Sequence, residues 1–221
     1  MKLIAVIPAR GGSKGIPGKN LKKIDGVSLL GRCVTTCIKA GIFDQVIVST
    51  NDDAIAAEAN QFNAEVVRRP DSLANDSIMP DPAVIHVLEN MGHKPDYVCM
   101  LQCTSPLTAA DDVRAAWVVA KETDADCVFA VTESHVFLWR RNPDGWAVAI
   151  NHDPSVRLSR QELPETFRET GAFYIMRTSG FLANKHRFFG NAVPFPVSHE
   201  RSVDVDTAFD LTIAEYLSTT L

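Results

Sequence analysis

Residues 9–20, Ala9-Arg10-Gly11-Gly12-Ser13-Lys14-Gly15-Ile16-Pro17-Gly18-Lys19-Asn20, place four glycines and three cations in one short stretch. Glycines let the backbone approach a ligand closely and turn amide N–H groups into one concavity. Arg10, Lys14 and Lys19 add positive charge to that small volume, lysine as a point charge and arginine as a planar fork. Together these features describe a cradle for a triphosphate. The loop is not a Walker A sequence: five residues, not four, separate Gly12 from Gly18-Lys19, and Asn20 stands where Ser or Thr is required.

A second constellation lies far downstream, at Asp204-Val205-Asp206. In extended backbone, side chains repeat every two residues, so both carboxylates face one way. Paired oxygen ligands beside a triphosphate suit Mg²⁺, which takes one or two carboxylates plus phosphates and waters. The same residues also read as the start of a helix, with Asp206 as its N-cap and Asp210 supporting the first turn. The residues alone leave these two readings open.

These groups need elements to hold them. Residues 3–8 (LIAVIP) read as a buried strand, short, apolar and ended by proline. Further strands are expected at 45–49, 65–67, 97–102, 127–131 and 171–176. Helical periodicity marks 28–40, 53–62, 81–90, 110–121 and 207–217, with proline tolerated in the first turn of the third. This alternation predicts an α/β fold, a three-layer, mostly parallel sheet with helices on both faces. Such sheets bind ligands beyond the carboxyl ends of their strands, and the loops after Pro8, Val67 and Gln102 follow three such ends. One domain over 1–221 is expected, broken at about 133–169 by a stretch with Trp139, Trp146 and several turn residues. That stretch reads as an excursion from the sheet, a lid or a dimerisation arm.

Composition narrows the function classes. At 221 residues the chain can bury one full α/β core, and 46% hydrophobic with 22% charged residues is ordinary for a globular protein. A net charge of −5 argues against a general nucleic-acid binder. No apolar run approaches membrane-spanning length, and Met1-Lys2 leads into a strand and not a secretion signal, so the expected compartment is the cytoplasm. The five cysteines include no CxxC pair and the six histidines are scattered, which favours small buried thiols over a zinc site.

The motif IPARGGSKGIPGKNL resembles the signature loop of the CMP-sialic acid synthetases, the acylneuraminate cytidylyltransferases. The similarity continues, in the family's order, through Arg69-Pro70, the run Leu101 to Leu107 (LQCTSPL), Arg160-Gln161, Phe167-Arg168, Gly171-Ala172, Tyr174 and Asp204-Val205-Asp206. It departs at Cys103, where proline is usual, at Phe137-Leu138, where a lysine-bearing segment is common, and at Pro80, in place of a small hydroxyl residue.

The resemblance implies transfer of CMP from CTP to an acidic nine-carbon 2-keto sugar, sialic acid or a relative, with release of pyrophosphate. The neighbouring reaction on the eight-carbon acid Kdo and a non-catalytic nucleotide-binding relative are the alternatives. It implies nucleotide contacts from Ala9, Arg10, Gly11, Gly12, Ser13, Lys14, Lys19, Asn20, Arg69 and Asp76, and a Mg²⁺ role for Asp204 and Asp206. Arg10, Lys19 and Asp204 are the expected catalytic groups. Gln102, Thr104 and Ser105 are expected to bond sugar hydroxyls or the N-acyl group. Arg160, Arg168 and Tyr174 are expected on the sugar side, since arginine is the natural bidentate partner of a sugar carboxylate. A homodimer is expected from the excursion.

Overall fold

Along the first strand, β1 (Leu3–Pro8), Leu3, Ala5 and Ile7 enter one apolar cluster while Ile4 and Val6 enter another. A strand with both faces buried belongs at the centre of a sheet covered on two sides, and its sequence is apolar throughout for that reason. The computed structural model describes residues 1–12, 15–75 and 79–221.

After β1 come a small hairpin, β2 (Lys23–Ile24) and β3 (Val27–Ser28), then α1 (Leu29–Ala40), β4 (Gln45–Thr50) and α2 (Asp53–Gln61). The chain continues through β5 (Glu65–Arg68), α3 (Asp81–Glu89), β6 (Tyr97–Leu101), α4 (Ala110–Glu122) and β7 (Cys127–Glu133). A second hairpin, β8 (Trp139–Arg141) and β9 (Ala147–Ala149), precedes β10 (Phe167–Arg177), α5 (Thr178–Asn184), β11 (Ala192–Pro196) and α6 (Ala208–Ser218).

Seven strands form one sheet in the order β11-β7-β10-β6-β1-β4-β5. Only β10 runs antiparallel to its neighbours, β6 and β7; the other pairs are parallel. Helices α1, α2, α4 and α6 bury apolar residues on one face, and α3 and α5 on the other. The expected three-layer, mostly parallel α/β architecture is therefore the observed one. From β1 the chain steps outward to β4 and β5, then returns to place β6 on the opposite side of β1. This reversal creates a crevice between the loops that follow β1 and β6.

Local signals set several boundaries. Ser28 Oγ accepts the Gly31 N–H at 2.9 Å and starts α1, and Gly41, at φ 65°, ends it in the left-handed conformation. In α6 the N-cap is Thr207, which forms a capping box with Asp210. Asp206 therefore lies outside the helix and is not its cap, which removes one of the two readings of the acidic couplet.

Three features differ from the sequence expectation. The strand expected at 171–176 begins earlier, because Phe167, Arg168 and Glu169 already pair with Glu133, Thr132 and Val131, ahead of an irregularity in the ladder. The excursion thus shrinks to about 134–166. Helix α5 and strand β11 had no sequence assignment. β11 carries Pro194 and Pro196, which a strand accommodates at a sheet edge, where it lies. All five cysteines are buried free thiols. No helix among the described residues is long and apolar enough to cross a membrane.

Candidate active site

Backbone contacts bring the glycine loop and the acidic couplet together. The Ala9 N–H donates to Ser49 O at 2.9 Å, and the Gly11 N–H donates to Asn51 Oδ1 at 3.2 Å, so the loop leaves β1 leaning on β4. Asn20 folds the loop back by donating from Nδ2 to Arg10 O at 3.0 Å. Gly18, at φ 64°, turns the chain into a 3₁₀ turn, Lys19–Leu21, that carries Lys19. On the other side, Val205 is fully buried and its N–H donates to Thr104 O at 2.7 Å. That inward anchor leaves Asp204 and Asp206 flanking it. Where the two segments touch, a Cβ on Gly15 would stand 2.4 Å from Asp206 O, so only glycine fits. The result is a Lys19 Nζ to Asp206 Oδ1 contact of 2.8 Å between residues 187 positions apart.

Both groups line one cavity of about 370 Å³ in the crevice between β1 and β6. Arg10, Gly12, Lys19 and Asn20 enter it from the first loop, and Arg69 from the end of β5. Gln102 and Thr104 contribute from the end of β6, and Asp204 and Asp206 form its acidic lip.

The charges are unevenly solvated. Arg69 is buried; desolvation, reinforced by the Arg10 charge, pushes its pKa down to about 10. Its Nε has no hydrogen-bond partner among the described residues. A buried cation beside a second one, with one N–H left over, is costly unless an anion joins it, which is what a phosphate or a polarised base oxygen would supply. On the lip, Asp204 is exposed as a residue, yet the cavity wall desolvates its carboxylate and raises its pKa above the usual range. The Asp206 charge acts in the same direction, while a Thr104 hydrogen bond and Lys19 oppose it. A desolvated carboxylate with a second one beside it suits a divalent cation. Among the described residues no cluster of three or more His, Cys, Asp or Glu side chains forms a closed metal site. Two carboxylates with phosphate and water completing the shell are what Mg²⁺ usually takes.

The remaining expected residues lie elsewhere. Ala9 is fully buried, and Gly11 packs on Asp52, which a Cβ would approach to 2.5 Å. Ser105 is buried beneath the loop after β6, its Oγ without a partner among the described residues. Tyr174 belongs to the core and donates its hydroxyl to Glu169. Arg168 is exposed on β10 and donates to Ser202 Oγ at 2.9 Å. Arg160 is exposed in the excursion. Ser13, Lys14 and Asp76 lie outside the described residues.

Sequence reasoning passed over two contributors. Asn51 ties three loops together, accepting from Gly11 and donating from Nδ2 to Asp71 Oδ1 at 2.9 Å. An Asn-Asp pair straight after a strand was the available signal. Arg187 also lines the cavity, ion-paired to Asp81 at 2.5 Å. It follows the unassigned helix α5 and had no local signal.

The chain resembles known proteins along its whole length. It is 33% identical over 220 residues to the N-acylneuraminate cytidylyltransferase of Oncorhynchus mykiss, covering 96% of this chain but 49% of that protein. It is 29% identical over 226 residues to the pseudaminic acid cytidylyltransferase of Campylobacter jejuni, covering 98% and 96%. The chain thus spans about half the length of the fish relative and nearly all of the bacterial one. Among solved structures, a CMP:2-keto-3-deoxy-manno-octonic acid synthetase complexed with CTP superposes with a TM-score of 0.76 at 18% identity, covering 100% and 99% of the two chains. A 4-diphosphocytidyl-2C-methyl-D-erythritol synthase from Anaerococcus prevotii follows at 0.70 and 11%, covering 99% and 96%. At those identities the likeness speaks for the fold. The cytidylyltransferase family model matches residues 4–206, which include both the glycine loop and the acidic couplet, and the chain belongs to that family.

Proposed function

We propose that this protein is a cytidylyltransferase that joins CMP from CTP to an acidic nine-carbon 2-keto sugar and releases pyrophosphate. The observation that carries the reading is the meeting of Lys19 and Asp206 at 2.8 Å on the rim of a cavity also lined by Arg10, Arg69 and Asp204. The names of the fish and Campylobacter relatives supply the class of sugar.

In this mechanism the sugar's anomeric hydroxyl attacks the α-phosphorus of CTP in line. The new P–O bond forms as the bond to pyrophosphate breaks, and the hydroxyl proton passes to Asp204 either directly or by way of a water. Arg10 and Lys19 stabilise the charge that gathers on the departing pyrophosphate, a role fixed dipoles and cations perform without reorganising. Arg69, short of a partner at Nε, bonds the nucleotide. Gln102 and Thr104 orient the sugar from the β6 side of the cavity. Asp204 and Asp206 are the residues that would hold Mg²⁺, and the ion would supply neutralisation of phosphate charge and polarisation of the α-phosphoryl group. Lys19, paired with Asp206, turns part of that contact toward phosphate when the nucleotide binds.

We further infer a homodimer formed through the excursion, whose Trp146 is 73% exposed along with Val136, Ile150 and Val156. A monomeric mass in solution removes that part of the reading. The reaction belongs in the cytoplasm, where five buried free thiols stay reduced.

The test is a panel of sialic, legionaminic, pseudaminic and Kdo acids with CTP and Mg²⁺, read by pyrophosphate release. Release with at least one nine-carbon acid, and none without sugar, is expected. Release with Kdo alone transfers the protein to the eight-carbon reaction, and CTP binding without release on any sugar makes it a non-catalytic relative.

A further inference from the structure

The cavity has a second cationic group besides the phosphate-side residues, and it is built differently. Arg187 is 4% exposed and its guanidinium lies 4.5 Å from the centre of the Tyr174 ring. Asp81, the first residue of α3 and 3% exposed, accepts from the Arg187 backbone N–H at 3.0 Å, from Nε at 3.3 Å and from Nη2 at 2.5 Å. Tyr174 in turn donates to Glu169. Phe188 packs edge-on against Phe129 with ring centroids 4.9 Å apart, and Phe189 fills the space over Gly180, fixing the chain that follows the arginine. The side chain is therefore held before any ligand arrives.

Its place in the sheet indicates which substrate it meets. The glycine loop and Arg69 follow β1 and β5, on one half of the sheet. Arg187 stands over Tyr174 of β10, on the other half, beside β6 with its Gln102 and Thr104. That is the sugar half in the function proposed above. An arginine fork carries five N–H donors. Asp81 engages Nε and Nη2, which leaves donors for a ligand in the cavity that Arg187 borders. Because Asp81 already balances the charge, a second carboxylate there would leave a net negative charge buried, whereas a neutral oxygen would complete the fork at no such cost.

Resting on the cytidylyltransferase reading, we propose that Arg187, positioned by Asp81, determines sugar specificity by donating to a neutral oxygen acceptor, a hydroxyl or an amide carbonyl, and not to the sugar's carboxylate. A desolvation cost falls on any sugar that lacks the acceptor, since the site's donors are then left unpaired.

The experiment compares wild type with Arg187→Met and with the paired Asp81→Asn/Arg187→Met variant, which removes both charges and so avoids a lone buried carboxylate. Melting temperature, KM for CTP and KM for each acidic sugar of the panel are measured. For the paired variant the expected result is a rise in sugar KM of about ten-fold or more, the scale of one hydrogen bond from a charged donor. KM for CTP stays near wild type, and the wild-type preference among sugars narrows. A folded paired variant whose two KM values are both unchanged, or rise together, or move for CTP alone, overturns the inference while leaving the proposed function standing. Wild-type protein that releases no pyrophosphate with any acidic sugar brings down the function and this inference with it.

Discussion

The rim of the cavity and the excursion between β7 and β10 are held by opposite kinds of contact. At the rim, the decisive bonds join residues far apart in sequence: Val205 to Thr104, Gly11 to Asn51, Lys19 to Asp206, with Gly15 against the Asp206 carbonyl. The excursion is built from its own neighbours. Asn151 bonds Leu138 and Val136, Asn142 bonds Trp146, and Ser134 N–H meets Thr166 O at its base. Its apolar side chains, Trp146 foremost, face outward. Site geometry is thus coupled to global packing, whereas these contacts of the arm stay within the arm.

The comparison can be broken most severely at the rim's charges. Lys19→Ala and Asp206→Ala are each expected to slow turnover by at least ~100-fold with the fold intact, the scale of losing one preorganised charge-stabilising contact. Their ion pair opens to solvent on the Asp206 side and adds little to stability, so melting curves close to wild type alongside lost pyrophosphate release are the expected pattern. Normal turnover in either variant would detach the rim from the chemistry.

Gly15→Ala attacks the same junction through shape. A methyl group 2.4 Å from Asp206 O forces the two segments apart, and a loss of about 1–3 kcal/mol in urea unfolding is expected, together with reduced activity. An unchanged midpoint would mean that the junction yields without cost.

Asp204→Asn separates function from stability with a definite sign. Burial raises the folded-state pKa of Asp204, so its ionised form costs the metal-free protein stability above that pKa. The variant should therefore melt higher than wild type at neutral pH without metal, with the difference disappearing as pH falls through the acid range where Asp204 protonates in both states. A variant that melts lower at neutral pH contradicts the desolvation argument.

Trp146→Ala gives the smallest effect in this series. A side chain 73% exposed in a self-contained hairpin should change monomer stability by no more than about 0.5 kcal/mol, while weakening self-association measured by sedimentation. A large loss of monomer stability would show that the arm is not independent of the core.

Much of this was legible along the chain because the signals are local. β1 is apolar on both faces because it is central, and Ser28 and Gly41 bound α1 through their own backbone and side-chain preferences. The glycine and cation content of residues 9–20 expresses a chemistry that any fold would have to serve. Where the signal is non-local, reading failed. β11 is a strand only because β7 pairs with it at an edge that tolerates Pro194 and Pro196. Tyr174 looked like a ligand contact, but its ring is taken up by the core and by Arg187.

The sequence by itself determined the alternating α/β pattern, the glycine and cation content of the first loop and the spacing that turns Asp204 and Asp206 the same way. Only the tertiary structure decided that Thr207, not Asp206, caps α6, that Lys19 reaches Asp206, and that Arg187 and Asp81 complete the opposite wall. The reason is physical. Propensity and periodicity act over a few residues, while a cavity at a sheet's reversal point is assembled from chain segments that meet only after every strand has taken its place.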